Sequence, residues 1–443
     1  MVVKYSGNIP YPYIIDTLDT FYGINNKSDV EEYSSTQPSK KLKSMKKQNS
    51  QKRRLSILIT TFWDYPHTGG LSNYISELSA TLRSQGHYVD VISPRKFPSL
   101  KKEEMRNEIV PELEDFFSTR YGEVNKLILK NQRLLYIYEQ MLKTVDLEKY
   151  DILHAQDLFT ANILGKFNKS LQKPLFYTPH GMYTFNRLKF NIFDKGSVEE
   201  AYYLRMEQQA VSFASHIIIL HDGFRPPLES IGAKQEHMTT VYTGIENKMY
   251  PKKHKAKDDK ITIASIARLG PRKGHRDLLS ALSTINHLDN VEVLIVGDGE
   301  MREELEEQKE KFHLDMVHFL GTRTDIPEIL HETDIFVLAT LNDSLPLSII
   351  EAMHAQTAII STECGGIPEI IKHNKTGIII EPGDTETLAR ALSFFIANTK
   401  ARARMAANAK RFANANLTNV KMVSFISNLY SQALAAFKVG EKI

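Results

Sequence analysis

Short apolar runs alternate with amphipathic segments along most of the chain. Residues 55–62 form an apolar run typical of a buried strand, and turn residues that include Gly69 and Gly70 follow it. The next segment carries apolar residues at helical spacing, and residues 87–94 again predict a strand. This strand–helix–strand order predicts a parallel sheet with right-handed crossovers. A ligand is then expected at the carboxyl end of the first strand, beside the two glycines.

The same alternation resumes at residue 261. Six more apolar runs are each followed by a segment of helical periodicity, which predicts a complete doubly wound domain. A stretch containing Pro and Lys separates the two series and indicates a linker over residues 249–260. The six predicted strands cover residues 261–266, 291–296, 317–320, 335–339, 358–361 and 377–380.

The pattern therefore predicts an α/β protein with two Rossmann-like, doubly wound halves. The N-terminal half is expected over residues 55–244, with a charged helical insertion over 96–148, and the C-terminal half over 245–400. The Ala-rich run over 401–443 is predicted to be helical. Residues 182–196 are aromatic and basic with weak periodicity, which predicts a mobile loop.

Composition and charge place the chain among ordinary globular proteins. It has 443 residues, 42% apolar and 25% charged, with a formal net charge of +3. The single cysteine, Cys364, excludes a disulfide framework within one chain and favours a reducing cytoplasm. No apolar run approaches membrane-spanning length, and the N-terminus has no apolar signal core. A cytoplasmic protein, peripheral to a membrane at most, is expected, and nothing suggests a nucleic-acid partner.

Residues 1–54 differ in composition from the rest and predict a flexible, polar N-terminal extension. Within it, residues 40–54 contain eight Lys or Arg side chains and no acidic residue. We interpret this run as a solvated tail in preference to a peripheral contact with an anionic membrane, because its apolar residues are too few for an amphipathic stripe.

The sequence NDSLPLSIIEAM follows one predicted strand and is suited to anion binding. Pro346 is expected in the first turn of a helix, where its missing N–H is harmless. The N–H groups of Ser344, Leu345 and Leu347 are then free at the positive end of the helix, which suits a phosphate or a carboxylate. Glu351 lies further along the helix, where its carboxylate approaches the same ligand. A phosphate cradle beside a hydroxyl-accepting carboxylate suits a sugar nucleotide.

Two further loops of the C-terminal half carry candidate ligand contacts. Arg268 and Lys273 follow the strand at 261–266, where two cations are able to neutralise a diphosphate. Gly365 and Gly366 offer N–H groups beside the start of another predicted helix. Cys364 has no His or second Cys near it in sequence, so a buried thiol is favoured over a nucleophile.

The sequence VGDGE predicts a tight turn from strand to helix. Gly297 and Gly299 are expected to allow close packing, and Asp298 is expected to cap the next helix in preference to contacting a ligand.

The N-terminal half supplies candidates at the ends of its predicted strands. His180 in the sequence TPHG lies between Pro and Gly, which favours a role at the ligand. His154 and Asp157, in HAQD, are interpreted as scaffold or as weak acceptor-side candidates together with Gly69. Neither histidine has metal-ligand partners at useful spacing, so no metal site is predicted.

Taken in order, these motifs resemble the retaining glycosyltransferases of family 4. The resemblance covers residues 55 to about 397 and includes the GG turn, HAQD, TPHG, the Arg268–Lys273 loop, VGDGE, the acidic motif and GGIPE. It implies the GT-B fold, in which two Rossmann-like domains face a central cleft. It also implies transfer of a sugar from a nucleoside-diphosphate donor, UDP- or GDP-linked, to a hydroxyl of a glycan, glycolipid or small acceptor.

The resemblance implies a role for each candidate residue. Arg268 and Lys273 are expected to bind the donor diphosphate without a metal ion or other cofactor, Glu351 the ribose and His180 the donor sugar. The remaining donor contacts are expected from Gly70, Ser344, Leu345, Leu347, Gly365 and Gly366.

Two positions depart from the family pattern: Asp343 in the acidic motif, and Ser344, where a glycine is common in that loop. The acidic motif of the family has two glutamates eight positions apart, and Asp343 occupies the first of them here. The charge is kept, and the reach of the side chain is shorter by about one carbon–carbon bond. Asp343 is grouped with His180, Arg268 and Lys273 as the predicted catalytic set.

Two other functions are compatible with this sequence. A sugar-nucleotide epimerase shares the GT-B fold but needs additional acid–base carboxylates at the sugar. A non-catalytic assembly or coat protein related to the family is supported only by Asp343. For the transferase, the expected partners are a nucleotide sugar and a glycan or lipid-linked acceptor.

Overall fold

The computed structural model describes residues 13–24, 53–67, 69–122, 125–246 and 260–440. Contacts within the chain divide it into two units. Unit 1 contains the chain up to Ile219, together with Phe224–Thr240 and the residues from Ile426 onward. Unit 2 contains Leu220–Gly223 and Val241–Phe425.

Unit 1 is built on a parallel sheet in the order β2-β1-β3-β4-β5-β6. Successive strands run away from β1 in both directions, so the order reverses between β1 and β3, where α/β sheets bind ligands. The middle of β1 is buried on both faces, which explains why it is a continuous apolar run. The strands are β1 (Ser56–Thr60), β2 (Tyr88–Ile92), β3 (Ile152–Ala155), β4 (Leu175–Tyr177), β5 (His216–Ile219) and β6 (Met238–Thr240).

Helices connect these strands, as the alternation of patterns predicts. Residues 96–148, predicted as a helical insertion, contain two long helices, which cover Ser99–Tyr121 and Lys126–Leu142. The helices of unit 1 are α1 (Ile15–Phe21), α2 (Gly70–Ser84), α3 (Ser99–Tyr121), α4 (Lys126–Leu142), α5 (Leu158–Leu171), α6 (Tyr183–Lys189), α7 (Val198–Phe213) and α8 (Arg225–Ser230).

The prediction of one flexible extension over residues 1–54 is wrong for residues 13–24. These residues contain α1, which packs against α7. The carboxylate of Asp19 accepts hydrogen bonds from Nε and Nη2 of Arg120 at 2.6 and 2.5 Å. The backbone of Tyr13 exchanges two hydrogen bonds with the carboxamide of Gln132. Residues 40–52 of the basic run lie outside the described residues, so its interpretation stays a prediction.

The predicted mobile loop over residues 182–196 contains a helix, α6. The carboxylate of Glu207 accepts a hydrogen bond from the N–H of Tyr183 at 2.6 Å and another from Thr184. The ring of Phe193 is buried and stacks on Tyr203, with 5.4 Å between ring centroids. Local periodicity does not reveal this order because the stabilising partners lie on α7.

Unit 2 is built on a second parallel sheet, in the order β12-β11-β10-β7-β8-β9. All six strands occur where the sequence predicts them, and the order reverses between β7 and β10. The strands are β7 (Ile261–Ile266), β8 (Val291–Val296), β9 (Val317–Gly321), β10 (Ile335–Leu338), β11 (Ala358–Thr362) and β12 (Ile378–Ile380).

Apolar cores lie on both faces of this sheet, as expected for a doubly wound domain. The helices are α9 (His275–Ser283), α10 (Arg302–Lys311), α11 (Ile326–Glu332), α12 (Leu347–His354), α13 (Ile367–Ile370), α14 (Thr385–Ala397), α15 (Thr399–Asn416) and α16 (Asn419–Gly440). None of the helices in the described ranges is long and apolar enough to cross a membrane.

The run predicted to be helical over residues 401–443 contains most of α15 and all of α16. Helix α15 packs on α12 and β11 and belongs to unit 2, whereas the residues of α16 from Ile426 onward belong to unit 1. Most of the predicted linker over residues 249–260 lies outside the described residues.

Candidate functional site

Two loops at the switch point of the unit 2 sheet are joined through their backbones. Strands β7 and β10 are neighbours and run parallel, so the loops that follow them leave the same edge of the sheet. The carbonyl of Arg272 accepts hydrogen bonds from the N–H of Leu341 at 2.7 Å and from Oγ1 of Thr340 at 2.9 Å. A Cβ atom at Gly274 would lie 1.8 Å from the carbonyl oxygen of Ala339. Glycine is therefore required for this approach.

This junction brings Lys273 and Asp343 together. The Nζ atom of Lys273 donates a hydrogen bond to Oδ2 of Asp343 at 2.5 Å. Their side chains are 28% and 18% exposed, so solvent screens their attraction less than it screens a pair at the open surface. Two residues of the predicted catalytic set are thus direct partners, although 70 positions separate them.

Free backbone donors adjoin this ion pair at the start of α12. Among the described residues, the N–H groups of Ser344, Leu345 and Leu347 have no hydrogen-bond acceptor. The Oγ atom of Ser344 is also buried and lacks a partner within those residues. Free N–H groups at a helix N-terminus bind anions well, because they point outward at the positive end of the helix dipole.

Pro346 lies directly before α12 and not, as predicted, in its first turn. It is the residue that precedes the helix, and its extended backbone, with ψ near 124°, turns the chain into α12. Glu351 is the fifth residue of α12 and is partly exposed. That its carboxylate approaches the free N–H groups, because side chains lean toward the N-terminus of a helix, stays a prediction.

The glycine loop after β11 packs directly on the Asp343 loop. A Cβ atom at Gly365 would lie 1.9 Å from the carbonyl oxygen of Asp343, and the φ of Gly365 is +52°. The N–H of Gly366 donates to the carbonyl of Ser344 at 2.6 Å. This N–H group, which was predicted to bind the ligand, is therefore already hydrogen-bonded within the protein. Cys364 is buried beneath the loop, as predicted.

Arg268 stands apart from the Lys273–Asp343 pair. Its side chain is 74% exposed, and Nη2 donates to Oε2 of Glu300 at 3.0 Å. Glu300 is not among the residues predicted for the site, although its position at the carboxyl end of β8, beside β7, was a usable signal. The Arg268–Glu300 pair is exposed on both sides, so little stability is expected from it, and the guanidinium can leave Glu300 for a stronger anion.

The VGDGE turn confirms one prediction and corrects another. Cβ atoms at Gly297 and Gly299 would lie 2.0 and 2.4 Å from the carbonyl oxygens of Ala267 and Leu269, so both glycines allow close packing. Asp298 does not cap α10. Its Oδ1 accepts from the N–H of Gly299 at 2.8 Å and holds the turn, and no side chain caps that helix.

Unit 1 holds His180 at the end of β4. The Nε2 atom of His180 lies 3.0 Å from Oε1 of Gln156. The ring of Tyr74 meets the imidazole edge-to-face, with centroids 4.8 Å apart. Burial lowers the pKa of His180 to about 3, so the ring is neutral near pH 7.

His154 belongs to the scaffold. It is fully buried, with Nε2 2.8 Å from Oγ1 of Thr178 and Nδ1 2.6 Å from the hydroxyl of Tyr430 in α16. Burial, with a smaller effect of His180, lowers its pKa to about 3. Both ring nitrogens are occupied, which supports the scaffold alternative over an acceptor contact.

Asp157 also serves the scaffold. Its Oδ1 accepts from the N–H of Thr160 at 2.8 Å and caps α5, and its Oδ2 accepts from the N–H of Phe62 at 2.7 Å. It therefore ties the loop after β1 to α5. Gly69 precedes α2 and has a φ of +148°, while Gly70 begins the helix and has open space beside its Cα.

Metal ligands are not clustered in the parts of the chain that the structure describes. No group of three or more His, Cys, Asp or Glu side chains there could hold a metal ion. That the reaction needs no metal ion stays a prediction.

Two family descriptions together cover most of the chain. Residues 68–248 match Glycosyltransferase Family 4, and residues 246–412 match Glycosyl transferases group 1. The chain is a group 1, family 4 glycosyltransferase. The two matches meet between units 1 and 2, near residue 246, and include every candidate residue described above.

Relatives of this glycosyltransferase are distant in sequence. It is 26% identical to N-acetyl-alpha-D-glucosaminyl L-malate synthase of Bacillus anthracis. The aligned part is 53% of this chain and 62% of that relative, which is less than two thirds of the relative's length. This chain is also 26% identical to UDP-Gal:alpha-D-GlcNAc-diphosphoundecaprenol alpha-1,3-galactosyltransferase of Escherichia coli over 69% of its own length and 81% of the relative.

Solved structures of the same architecture include Anabaena Alr3699/HepE in complex with UDP-glucose. The TM-score is 0.65 at 20% identity, with 85% of this chain and 100% of that chain covered. Sucrose-phosphate synthase from Thermosynechococcus elongatus matches with a TM-score of 0.67 at 17% identity, over 86% of this chain and 100% of that one. These matches show that the glycosyltransferase has the GT-B fold.

Proposed function

We propose that this glycosyltransferase moves a sugar from a nucleoside-diphosphate donor to a hydroxyl of a glycan or lipid-linked acceptor, with retention of the anomeric configuration. The observation that carries the proposal is the Lys273–Asp343 pair beside the free N–H groups of Ser344, Leu345 and Leu347. A cation and several N–H groups that converge at a switch point suit a diphosphate.

The residues divide the work of the transfer. Lys273, the N–H groups at the start of α12 and Arg268, once it leaves Glu300, stabilise charge that develops on the departing diphosphate. Glu351 holds the ribose hydroxyls, and His180 contacts the donor sugar. A phosphate oxygen of the leaving group takes the proton of the acceptor hydroxyl as the new glycosidic bond forms on the same face.

Two similar proteins support the substrate classes. The Anabaena structure is a complex with UDP-glucose, and the Escherichia coli relative is named for a UDP-galactose donor and a diphosphoundecaprenol-linked acceptor. We extend from them only the classes, which are a nucleotide sugar and a glycan on a lipid or polymer.

A thermal-shift panel of UDP-, GDP- and ADP-sugars tests donor binding. A nucleotide present at 100 times its Kd stabilises the folded protein by about 2.7 kcal/mol, which is readily seen. Lys273→Ala should abolish this shift and turnover, whereas Lys311→Ala, at an exposed lysine in the last turn of α10, should leave both unchanged. Equal shifts in wild type and Lys273→Ala would contradict the proposed site.

Incubation of the donor without acceptor separates the alternatives. Slow hydrolysis is expected of a transferase, whereas an epimerised sugar nucleotide would identify an epimerase. A complete lack of nucleotide binding would favour a non-catalytic assembly protein.

A further inference from the structure

The imidazole of His180 has one occupied nitrogen and one open nitrogen. Nε2 is hydrogen-bonded with Gln156, at 3.0 Å from Oε1. Nδ1 has no hydrogen-bond partner among the residues that the structure describes, and it is not one of the buried unpaired atoms. The histidine is partly exposed, so a ligand can reach the open nitrogen.

Gln156 is more deeply buried than the histidine that it contacts. It is fully buried just beyond β3, and its N–H donates to the carbonyl of Thr60 at 2.9 Å. The ring of Tyr74 also packs against the His180 ring, with 4.8 Å between the ring centroids. The carboxamide and the aromatic edge together restrict rotation of the imidazole.

The chemistry of this contact determines which nitrogen carries the proton. With Oε1 of Gln156 facing the ring, as in the structure, Nε2 of His180 donates its hydrogen to that oxygen, because an amide oxygen only accepts hydrogen bonds. Burial holds the pKa of His180 at about 3, so the ring has a single hydrogen near neutral pH. Nδ1 is then an unprotonated acceptor that faces the open side of the ring.

We propose that Gln156 is a positioning residue that holds His180 as its Nε2–H tautomer, so that Nδ1 accepts a hydrogen bond from a hydroxyl of the donor sugar. The inference rests on the proposed function and adds to it the second residue and the direction of the hydrogen bond. Gln156 acts through His180 and makes no contact with the substrate itself.

The opposite orientation of the Gln156 carboxamide would give the other tautomer of His180. If the NH2 group of Gln156 faced the ring, it would donate to Nε2, and Nδ1 would carry the hydrogen and act as a donor. The Nε2 atom of Gln156 is buried without a partner among the described residues, so the contact with His180 is the one hydrogen bond of this carboxamide there, and the tautomer of His180 distinguishes the two arrangements.

Nitrogen-15 NMR of the full-length protein at pH 7 reads the tautomer directly. The chain has 15 histidines, so the His180 signals are assigned by their loss in His180→Asn. We expect Nε2 to be protonated and Nδ1 unprotonated in the wild type. Gln156→Glu keeps an acceptor and should keep this tautomer, whereas Gln156→Leu should give a mixture. A protonated Nδ1 in the wild type would overturn the proposal, whether or not any variant folds.

Activity provides a second readout, with a matched control. UDP-glucose, UDP-N-acetylglucosamine and GDP-mannose are tested as donors, and the one that is turned over is used for the comparison. With that donor, Gln156→Leu should lower kcat/KM about tenfold, which is the loss expected when one hydrogen bond in an active site is removed. The control is Gln132→Leu, which removes an equally buried carboxamide that binds the backbone of Tyr13, and it should leave kcat/KM unchanged.

The two proposals fail in different ways. If no sugar nucleotide of the thermal-shift panel binds or reacts, the proposed function fails, while the spectrum still decides the tautomer of His180. If a donor is turned over and Gln156→Leu is as active as the wild type, the role of Gln156 is overturned and the proposed function stands.

Discussion

The ammonium group of Lys273 and the carboxylate of Asp343 form a 2.5 Å hydrogen-bonded ion pair at the switch point of the unit 2 sheet. Asp343 is the position at which the chain departs from the glutamate of its family. The shorter acid is therefore a direct partner of the lysine proposed to bind the diphosphate, which connects the unusual residue to the orientation of Lys273.

Asp343→Asn should lower kcat/KM by tenfold or more in a sugar-transfer assay. The neutral amide removes the charge that orients Lys273, and small displacements of a charged group in an active site reduce rates strongly. Asp343→Glu keeps the charge and should retain most of the activity. An asparagine variant as active as the wild type would show that the ion pair has no part in catalysis.

Gly365→Ala should weaken nucleotide binding by at least about tenfold, because the new Cβ would lie 1.9 Å from the Asp343 carbonyl and force the two loops apart. Gly383→Ala is the matched control. Gly383 also has a positive φ, +82°, but open space around its Cα. Titration calorimetry with the nucleotide found in the thermal-shift panel measures both variants, and equal losses would mean that backbone strain alone is responsible.

Glu207 should make the stability of unit 1 depend on pH. Burial raises the pKa of Glu207 from 4.5 to about 7, so between these values the folded protein holds a proton that the unfolded chain has released. Stability contributed by this proton is complete below about pH 4.5 and is lost as the pH rises through about 7, by roughly 3 kcal/mol.

Urea unfolding of wild type and Glu207→Gln at pH 5 and pH 8 checks this dependence. The difference in unfolding free energy between the two pH values should shrink in the variant. An exposed carboxylate, changed in Glu103→Gln, serves as the control and should leave the difference as it is in the wild type. An identical pH dependence in all three proteins would contradict the assignment to Glu207.

Asp19→Ala should destabilise the protein by about 2–4 kcal/mol, because it leaves Arg120 without the carboxylate that accepts two of its hydrogen bonds. Asp16→Ala changes an acid of the same helix whose side chain is about half exposed and lies 3.8 Å from Arg205, so a loss below about 1 kcal/mol is expected. Chemical denaturation compares the two variants. Similar losses of unfolding free energy in the two variants would indicate that the hydrogen bonds between Asp19 and Arg120 add no stability of their own.

Several features could be predicted because their causes are local in the chain. The apolar runs of β7 and β10 give the strands, since a parallel strand is buried on both faces and needs no distant information to be recognised. The close packing at Gly297 and the cluster of free N–H groups before α12 likewise follow from residue type and position. The order of these motifs was enough to identify the family.

Other features became visible only in the assembled fold. The local pattern does not predict that Arg268 pairs with Glu300. It also does not predict that the N–H of Gly366 donates to the carbonyl of Ser344, or that Gln156 contacts His180. The same holds for α1, whose seven residues are too few to be stable without their contacts to α7 and Arg120.

The sequence by itself therefore determined the two doubly wound halves, the family and the residue types at the ends of the strands, because periodicity and turn chemistry act over a few residues. The tertiary structure decided which of those residues are partners. Strand order sets the loops after β7 and β10 side by side, and that juxtaposition, 70 residues apart along the chain, is what joins Lys273 to Asp343.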